Sequence, residues 1–567
     1  MDAPIPRPTA FVPYVGEDPV RHRIDVTTLG DLLLKACDEY PDHPALIFPD
    51  SSWTYRDLVS RAMRTARGLV ALGVRPRDHV GILMPTSPEL VEMFFAVALC
   101  GAAAVLINAR YKAAELGYVI ENADIVALLT TDQVAEQVNF VERIGAALPE
   151  LAANRDPRNL RLKAAPKLRT IVLTSGAAPP PGYLAYRDFE RLASQVPETT
   201  VHRYRVTTRV RDVGMILYTS GTTANPKGCL LSHEAMARTS LVLGRHRFLL
   251  THADKMWSPL PLFHIAAMLP LIAAFSVGAT YLGMQHFEPG LSIDMIDRYG
   301  VTMIFAPFVT FTQAMALHPK FQTTDFSRVR LMNSCFGVQP KSVSDAYRKA
   351  MPGTLQLGTY GMTEAAGIVA TGHFGMDPEL GYERLGVPLV GVEVRIVDPE
   401  TGTECAVGAR GEICLKGYSV FDGYYRDPEK NRACFDADGW FHTGDLGSID
   451  ATGHMMFDGR TKDMLKVGGE NVAAAEIEAL LTRHPAVKLA QVVGVPDPKY
   501  VEVPAAFVEL FPGQQAGEQE LIAFCRREIS GFKVPRFVRY VTEWPMSASK
   551  IQKFQLRNRM LKELGLE

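Results

Sequence analysis

The residues best suited to chemistry in this chain of 567 residues lie between Tyr218 and Gly228, in the segment Tyr-Thr-Ser-Gly-Thr-Thr-Ala-Asn-Pro-Lys-Gly. Hydroxyl and backbone N–H groups can donate to phosphate oxygens, glycine allows close approach, and Lys227 supplies a point charge. The segment does not match the Walker A pattern G-x-x-x-x-G-K-[ST]. It predicts a phosphate-binding loop, with a Thr/Gly-rich turn as the plain alternative. The loop residues concerned are Thr219, Ser220, Gly221, Thr222 and Thr223.

Six further motifs follow this loop in a fixed order along the chain. They are Pro261-Leu262-Phe263-His264, Tyr360-Gly361-Met362-Thr363-Glu364, Gly-Trp-Phe-His-Thr-Gly-Asp at 439–445, Gly-Arg-Thr-Lys-Asp at 459–463, Gly-Gly-Glu-Asn at 468–471 and Ser549-Lys550. With the loop, and over a span from about Thr28 to Lys553, the sequence resembles the adenylate-forming superfamily of acyl-CoA synthetases, luciferases and peptide-synthetase adenylation domains. It looks most like the branch of fatty acid or carnitine/crotonobetaine-type CoA ligases.

Adenylation joins a carboxylate to the α-phosphate of ATP and expels pyrophosphate, so charge on both partners must be neutralised. The resemblance implies that Glu364 is the magnesium ligand, that Thr222 is a second contact near the metal, and that Lys550 is the catalytic lysine. A carboxylate oxygen suits Mg²⁺, and an ammonium group can bridge the carboxylate and the α-phosphate. Taken alone, Glu364 could be a surface acid and Lys550 a solvated lysine. Residue 549 is serine where relatives commonly have glycine.

The resemblance also implies a ribose site and a base site. Asp445 matches the acid that accepts hydrogen bonds from both ribose hydroxyls, and Arg460 fits a second ribose contact. Either could instead be a turn residue, because Thr-Gly-Asp and Asp-Gly-Arg are good turn sequences. Adenine is expected beside the segment 334–340, which departs from the Gly/Ala-rich pattern of relatives. The whole implied ATP-binding set is Thr219, Ser220, Gly221, Thr222, Thr223, Lys227, Gly337, Tyr360, Gly361, Thr363, Glu364, Asp445, Arg460 and Lys550.

The resemblance implies that the C-terminal part of the chain serves two half-reactions, first with ATP and then with CoA. Lys462 corresponds to the family hinge, about which a small domain rotates and removes Lys550 from the site. The rotation would bring a glycine-rich segment to the acyl-adenylate, where glycine lets the pantetheine arm pass close to backbone. The plain alternative is a glycine turn between strand and helix. The implied CoA-binding residues are Lys466, Gly468, Gly469 and Glu470.

The acyl group is expected between two apolar segments, 265–282 and 305–311. His264 matches a residue that lines or gates this channel in relatives, although a lone histidine could equally be a hydrogen-bonded core residue. Bulky side chains favour a bounded or flat pocket. The implied pocket residues are His264, Phe308, Val309 and Phe336.

The elements that position these residues indicate an α/β fold. The first 280 residues alternate amphipathic helices with short apolar strands, which is typical of βαβ units and parallel sheets. Helices are predicted after Thr28, Thr54 and Ser87. Strands are predicted at 45–48, 79–84, 104–107, 125–129, 168–173 and 213–218. After Gly386, glycine-broken strands at 393–397 and 411–416 favour a small antiparallel barrel. An α+β unit follows, with helices at 474–482 and 518–529 and strands at 488–493 and 505–510.

We therefore expect a large N-terminal domain of stacked, mostly parallel sheets plus a small barrel over 1–458, a hinge at 459–463, and a small mobile α+β domain over 464–567. The run 256–287 lacks Lys, Arg, Asp and Glu. Since Pro270, Gly278 and Gly283 interrupt it, a buried helix and strand are favoured over a membrane span.

Composition narrows the class of protein. Lys+Arg 60 against Asp+Glu 62 gives a net charge of −2, and 47% of residues are hydrophobic, which disfavours a disordered chain or a nucleic-acid binder. Eight cysteines without a Cys-x-x-Cys pair suggest neither a structural zinc site nor a disulfide framework. Residues 1–23 lack the apolar core of a signal peptide. We expect a cytoplasmic protein, with a homodimer as the default assembly.

The resemblance implies an ATP- and Mg²⁺-dependent ligase that joins a carboxylic acid, fatty or related aliphatic, to CoA and releases AMP and pyrophosphate. Its expected partners are the small-molecule acid, ATP and CoA, with no nucleic acid and no transmembrane segment. The end of the sequence without a carrier domain favours CoA over a carrier protein. Alternatives are an enzyme that loads a separate carrier protein or has an oxidative second step, a non-catalytic nucleotide- or lipid-binding homologue, and a membrane transporter.

Overall fold

The structure is a computed structural model, which describes residues 25–134, 138–175, 178–219, 225–334, 341–377, 384–460, 464–467, 470–498, 500–547 and 550–566. Two seven-stranded sheets dominate its N-terminal part. In spatial order, the strands of the first sheet are Leu184–Ala185, Thr170–Leu173, Ile125–Thr130, His79–Leu83, Ala103–Leu106, Val213–Thr219 and Lys227–Ser232. The pairs are parallel except the last, in which Lys227–Ser232 runs antiparallel to its neighbour. The predicted parallel sheet is confirmed.

The second sheet has the same plan, with one antiparallel strand at its edge. In spatial order, its strands are Leu355–Leu357, Leu331–Ser334, Met303–Ala306, Lys255–Trp257, Thr280–Leu282, Pro44–Phe48 and Ser51–Thr54. Side chains from both large sheets, such as Ile82 and Met303, belong to one hydrophobic core. The strands are short and apolar because helices cover the faces of both sheets.

Three of the helices begin where the sequence places their caps. The Thr28 hydroxyl accepts from the Asp31 amide at 3.2 Å, Thr54 forms a capping box with Asp57, and the Ser87 hydroxyl accepts from the Leu90 amide at 3.3 Å. Each bond satisfies an N–H group that the first helical turn leaves without a partner. The helices are Leu29–Glu39, Tyr55–Ala71, Pro88–Leu99, Ala113–Asn122, Phe140–Ala147, Tyr186–Ser194, Glu198–Thr207, His233–Val242, Ile265–Phe275, Pro289–Tyr299, Val309–Leu317, Lys341–Ala350, Pro428–Cys434, Ala474–Leu481, Glu518–Glu528 and Lys553–Glu563.

The uncharged run folds into a helix between two strands of the second sheet. Helix Ile265–Phe275 contains Pro270 and is buried along nearly its whole length, and strand Thr280–Leu282 follows it. Among the described residues, no helix has both the length and the apolar character needed to cross a membrane. The predicted buried helix and strand are confirmed.

A half-barrel of four antiparallel strands follows the large sheets. Its strands are Val392–Val397, Gly411–Gly417, Phe441–Ile449 and Met455–Arg460. The last two lie in sequence that reads only as turn-rich, because glycines interrupt its apolar pattern. A three-stranded sheet of Thr359–Tyr360, Ala370–Thr371 and Val387–Pro388 precedes the half-barrel.

The C-terminal part builds a separate sheet with a core of its own. Its strands are Glu470–Ala473, Met464–Val467, Val501–Leu510 and Val487–Asp497 in spatial order, and Phe537–Tyr540 pairs in parallel with Val501–Leu510. Helices Ala474–Leu481 and Glu518–Glu528 pack on it through Ile477 and Leu521. A two-stranded pair, Met546–Ser547 with Lys550–Ile551, completes the chain's sheets in the described part. The predicted α/β class is confirmed.

Candidate active site

The residues that flank the predicted phosphate loop are held side by side at the edge of the first sheet. Thr219 ends one strand and lies directly opposite Lys227, which begins the next. Residues 422–425 then extend this edge, since the Leu230 amide donates to Gly423 O at 3.0 Å and the Tyr425 amide donates to Gly228 O at 2.8 Å. The loop is therefore anchored at both ends, and a tyrosine-containing segment lies beside its second strand.

Tyr424 connects the loop lysine to the predicted magnesium ligand. Its hydroxyl donates to Glu364 Oε1 at 2.9 Å, and Lys227 Nζ lies 5.6 Å from the centroid of its ring. Burial and the charge of Glu364 raise the pKa of Tyr424 above its ordinary 10.0, so the hydroxyl stays a donor throughout the neutral range. The structure thus brings together Lys227 and Glu364, which lie far apart in the sequence.

The backbone on both sides of this contact is fixed. The Asn431 side chain accepts from the Tyr424 amide at 2.7 Å and donates to Tyr424 O at 3.0 Å. Glu364 lies in the short helical turn Thr363–Ala365, and its carbonyl accepts from the Phe421 amide at 2.9 Å. Gly361 precedes this turn at a point where a Cβ atom would lie 1.6 Å from Gly367 O, so only glycine fits.

The site fits a magnesium ion. Glu364 offers hard carboxylate oxygens and is only partly buried, and Tyr424 connects it to Lys227 at the end of the predicted phosphate loop. Magnesium bound there would neutralise charge on the phosphate groups of a nucleotide. Tyr424 orients the carboxylate, and the pattern of sequence motifs had given no sign of that role.

Asp445, on the third strand of the half-barrel, and Tyr360, in the three-stranded sheet, form a second group of polar side chains. The Tyr360 hydroxyl donates to Asp445 Oδ2 at 2.9 Å, and Asp445 is only 4% exposed. The Asp445 amide donates to Thr443 Oγ1 at 3.0 Å, and that hydroxyl donates to Ile413 O at 2.7 Å. Asp445 also lies opposite Arg460 in the strand register. The Tyr360 hydroxyl holds the buried carboxylate and Thr443 holds the backbone beside it, so Asp445 is suited to accept hydrogen bonds in a fixed direction.

Glu412 supports the turn that leads to Asp445. Its Oε1 accepts from the Gly444 amide at 2.9 Å, and Gly444 has a positive φ of 72° that favours glycine. Sequence reasoning missed Glu412. The signal available was its alternation with Cys414 along an apolar strand, which puts both on one face.

Three of the four predicted acyl-channel residues, His264, Phe308 and Val309, lie at the starts of two helices. His264 is the N-cap residue of helix Ile265–Phe275, and its ring centroid lies 4.9 Å from that of Phe263. Phe308 precedes helix Val309–Leu317, with its ring centroid 6.1 Å from that of Phe311. Helix Ile265–Phe275 packs closely against Gly367, immediately after the Glu364 turn. Helix Ile265–Phe275 therefore adjoins the turn that contains Glu364.

Several predicted residues cannot be placed in this geometry. Those outside the described residues are Ser220, Gly221, Thr222, Thr223, Phe336, Gly337, Lys462, Gly468 and Gly469. Others are described through their backbone: Val309 opens a helix, Arg460 ends a strand of the half-barrel, and strands of the C-terminal part contain Lys466, Glu470 and Lys550. Their roles stay predictions.

Comparison with known proteins shows the family of this chain. Residues 33–425 match the family model described as AMP-binding enzyme, and residues 476–550 match that of the AMP-binding enzyme C-terminal domain. The protein YngI from Bacillus subtilis (strain 168) is named as an acyl-CoA synthetase. It is 34% identical to this chain over 544 residues, which cover 95% of this chain and 98% of that protein. The mitochondrial medium-chain acyl-CoA ligase ACSF2 from Rattus norvegicus is 30% identical over 587 residues, covering 100% of this chain and 92% of that protein.

A solved structure extends the similarity to the fold. The crystal structure of the anthranilate CoA ligase AuaEII with anthranoyl-AMP superposes with a TM-score of 0.83 at 28% identity, covering 97% of this chain and 100% of that chain. The chain belongs to the AMP-binding enzyme family, and it is an enzyme of the acyl-CoA synthetase and ligase class. ATP, Mg²⁺ and CoA, which the sequence indicates, are the cofactors and cosubstrates of AMP-binding acyl-CoA ligases.

Proposed function

We propose that this enzyme activates a fatty or related aliphatic carboxylic acid with ATP, forms acyl-AMP and pyrophosphate, and transfers the acyl group to CoA. The observation that carries the proposal is the convergence of Lys227, Glu364 and Tyr424 beside the anchored phosphate loop. The name of ACSF2 supports an aliphatic acid. That of AuaEII favours an aromatic acid as the second candidate.

In this proposal each group of polar residues has one role in adenylation. Thr219, Lys227 and the loop between them bind the phosphates of ATP, while Glu364 holds the magnesium ion with Thr222 as a second contact. Asp445 accepts from the ribose hydroxyls, and Arg460 adds a ribose contact. Lys550 approaches the α-phosphate and the substrate carboxylate, where its charge stabilises the developing negative charge. Tyr360, Gly361, Thr363 and Gly337 complete the nucleotide site.

We also propose that residues 464–567 form a small domain that turns about Lys462 between the two half-reactions. Lys466, Gly468, Gly469 and Glu470 then face CoA, and the acyl channel contains His264, Phe308, Val309 and Phe336. Among the described contacts that would have to break is a hydrogen bond from the Gln313 side chain to Lys488 O at 3.1 Å, which joins helix Val309–Leu317 to the C-terminal sheet. A hydrogen bond of this kind contributes about 1 kcal/mol.

Pyrophosphate and acyl-CoA formation test the proposal directly. Purified protein is incubated with ATP, Mg²⁺, CoA and a panel of short, medium, long, branched and aromatic acids, and both products are measured. We expect medium or long aliphatic acids to give acyl-CoA, and Lys550→Ala to lower pyrophosphate release by at least 100-fold, since charge stabilisation of this kind contributes about 3 kcal/mol or more. Lys562→Ala, at an exposed position of the last helix, is the matched control and should keep full activity.

Each other result points to a different function. Acyl-AMP that CoA never accepts would favour a carrier-protein substrate, and exclusive turnover of aromatic acids would favour the second candidate. If Lys550→Ala retained full adenylation, the proposed lysine would be wrong. A cytoplasmic location and a homodimer stay predictions of the sequence.

A further inference from the structure

Three side chains with metal-binding atoms share one face of the half-barrel. None of them is Glu364, the predicted magnesium ligand. Cys414 on strand Gly411–Gly417 lies directly opposite His442 on strand Phe441–Ile449. Glu412 precedes Cys414 by two residues, so its side chain points to the same face. The motif at 439–445 contains His442, but the roles of that motif in nucleotide binding leave the histidine unexplained.

The cysteine and histidine atoms are spaced as two ligands of a metal ion, and Glu412 lies within hydrogen-bond distance of the histidine. His442 Nδ1 lies 2.9 Å from Glu412 Oε2 and 3.5 Å from Cys414 Sγ, and the three ligand atoms lie within 4.8 Å of one another. With Zn–N near 2.1 Å and Zn–S near 2.3 Å, tetrahedral geometry separates the nitrogen and sulfur ligands by about 3.6 Å. The Cys414 and His442 atoms are therefore already spaced for a shared tetrahedral ion.

The surroundings suit a bound cation in three further ways. His442 Nε2 faces Asp436 Oδ2 at 3.7 Å, and Arg395 pairs with that same carboxylate. A carboxylate behind the outer nitrogen of a ligand histidine directs Nδ1 towards the metal. A thiolate from Cys414 and the Glu412 carboxylate would balance the two charges of the ion. The histidine and glutamate side chains are 28% and 14% exposed, which leaves an entry path.

We propose that Glu412, Cys414 and His442 bind a Zn²⁺ ion, with water as the fourth ligand. Sulfur and imidazole ligands favour Zn²⁺ over Mg²⁺, so this site is chemically distinct from the one at Glu364. It is also connected to the nucleotide site, because Glu412 uses Oε2 towards His442 and Oε1 to hold the Gly444 amide beside Asp445. Bound zinc fixes Glu412 and thereby the turn that positions Asp445.

Cobalt spectroscopy and zinc dialysis test this site without relying on enzyme activity. The full chain is stripped of metals with a chelator and kept free of ATP and Mg²⁺. Co²⁺ is added, and the near-ultraviolet band of thiolate-to-cobalt charge transfer is recorded. Zn²⁺ binding is measured in parallel by equilibrium dialysis. The variants are Cys414→Ser, His442→Gln and Asp436→Asn. Cys434→Ser serves as the control, since Cys434 is also buried but lies on helix Pro428–Cys434.

We expect one Zn²⁺ per chain and a charge-transfer band in the wild type and in Cys434→Ser. Cys414→Ser should lose the band, and His442→Gln should bind Zn²⁺ at least 10-fold more weakly. Asp436→Asn keeps all three ligands, so it should keep the band while binding Zn²⁺ about 10- to 100-fold more weakly. A wild type without the band, or a band that persists in Cys414→Ser, would overturn the proposal. Because Asp436→Asn removes no ligand, its result holds even if Cys414→Ser folds poorly.

Discussion

Replacement of Tyr424 by phenylalanine isolates one hydrogen bond of the proposed magnesium site. The variant loses the hydroxyl that donates to Glu364 Oε1 at 2.9 Å. It keeps the aromatic ring beside Lys227 and both backbone bonds to Asn431, because neither depends on the hydroxyl. Any effect on catalysis therefore reports how much the fixed orientation of Glu364 contributes.

The size of the effect follows from the freedom that Glu364 regains. Ordering a glutamate side chain costs up to about 2 kcal/mol, and in the wild type this cost is met during folding. In Tyr424→Phe this ordering cost instead reduces the free energy of Mg²⁺–ATP binding. At 1.36 kcal/mol per tenfold, it corresponds to binding that is about 10- to 30-fold weaker. Loss of the donor also leaves more negative charge on the carboxylate, which favours Mg²⁺. Glu364 is partly exposed, so water replaces the donor and this opposing effect is small.

The assay is pyrophosphate release over a titration of Mg²⁺ at fixed ATP and acid. We expect kcat/KM for Mg²⁺–ATP to fall about 10- to 30-fold, with part of the loss recovered at high Mg²⁺. Tyr425→Phe is the matched control, because it makes the same chemical change one residue later, where the hydroxyl donates to Asp124 at 2.8 Å. If both variants stay within about twofold of the wild type at every Mg²⁺ concentration, Tyr424 does not orient a magnesium ligand, and the reasoning fails.

Two further predictions concern the ribose site and the stability of the fold. Asp445→Asn keeps an acceptor for Tyr360 but loses the charge, so kcat/KM for ATP should fall by about 10-fold or more, and the preference for ATP over 2′-deoxy-ATP should shrink; an unchanged preference would remove Asp445 from the ribose site. Burial lowers the pKa of His233 from 6.5 to about 4. Between these two pH values the unfolded chain binds more protons than the folded chain, so the free energy of unfolding falls as the pH decreases through this range. In urea unfolding at pH 8 and pH 5, His233→Asn should lose about 2 kcal/mol of this pH dependence; an equal pH dependence in variant and wild type would contradict the shift.

The sequence predicted best those features that depend on neighbouring residues. Helix starts at Thr28, Thr54 and Ser87 are local, because the cap and the amide that it accepts from lie three residues apart. Strand Val213–Thr219 was placed to within one residue, since its apolar run ends where the polar loop begins. Strand Phe441–Ile449 was missed as a strand, because Thr443, Gly444 and Asp445 interrupt its apolar pattern. Pairing with Gly411–Gly417 on one side and with Met455–Arg460 on the other keeps it extended.

The orientation of the site could not be predicted for a related reason. Glu364 was found through its motif, but the motif says nothing about Tyr424, which lies 60 residues further on. The two meet because residues 422–425 add to the edge of the first sheet. That addition consists of backbone hydrogen bonds to Gly228 and Leu230, which do not depend on the identity of the side chains. Sequence motifs identify the groups that are predicted to contact the substrate. The groups that hold them come from sheet edges and strand register, which are properties of the folded chain.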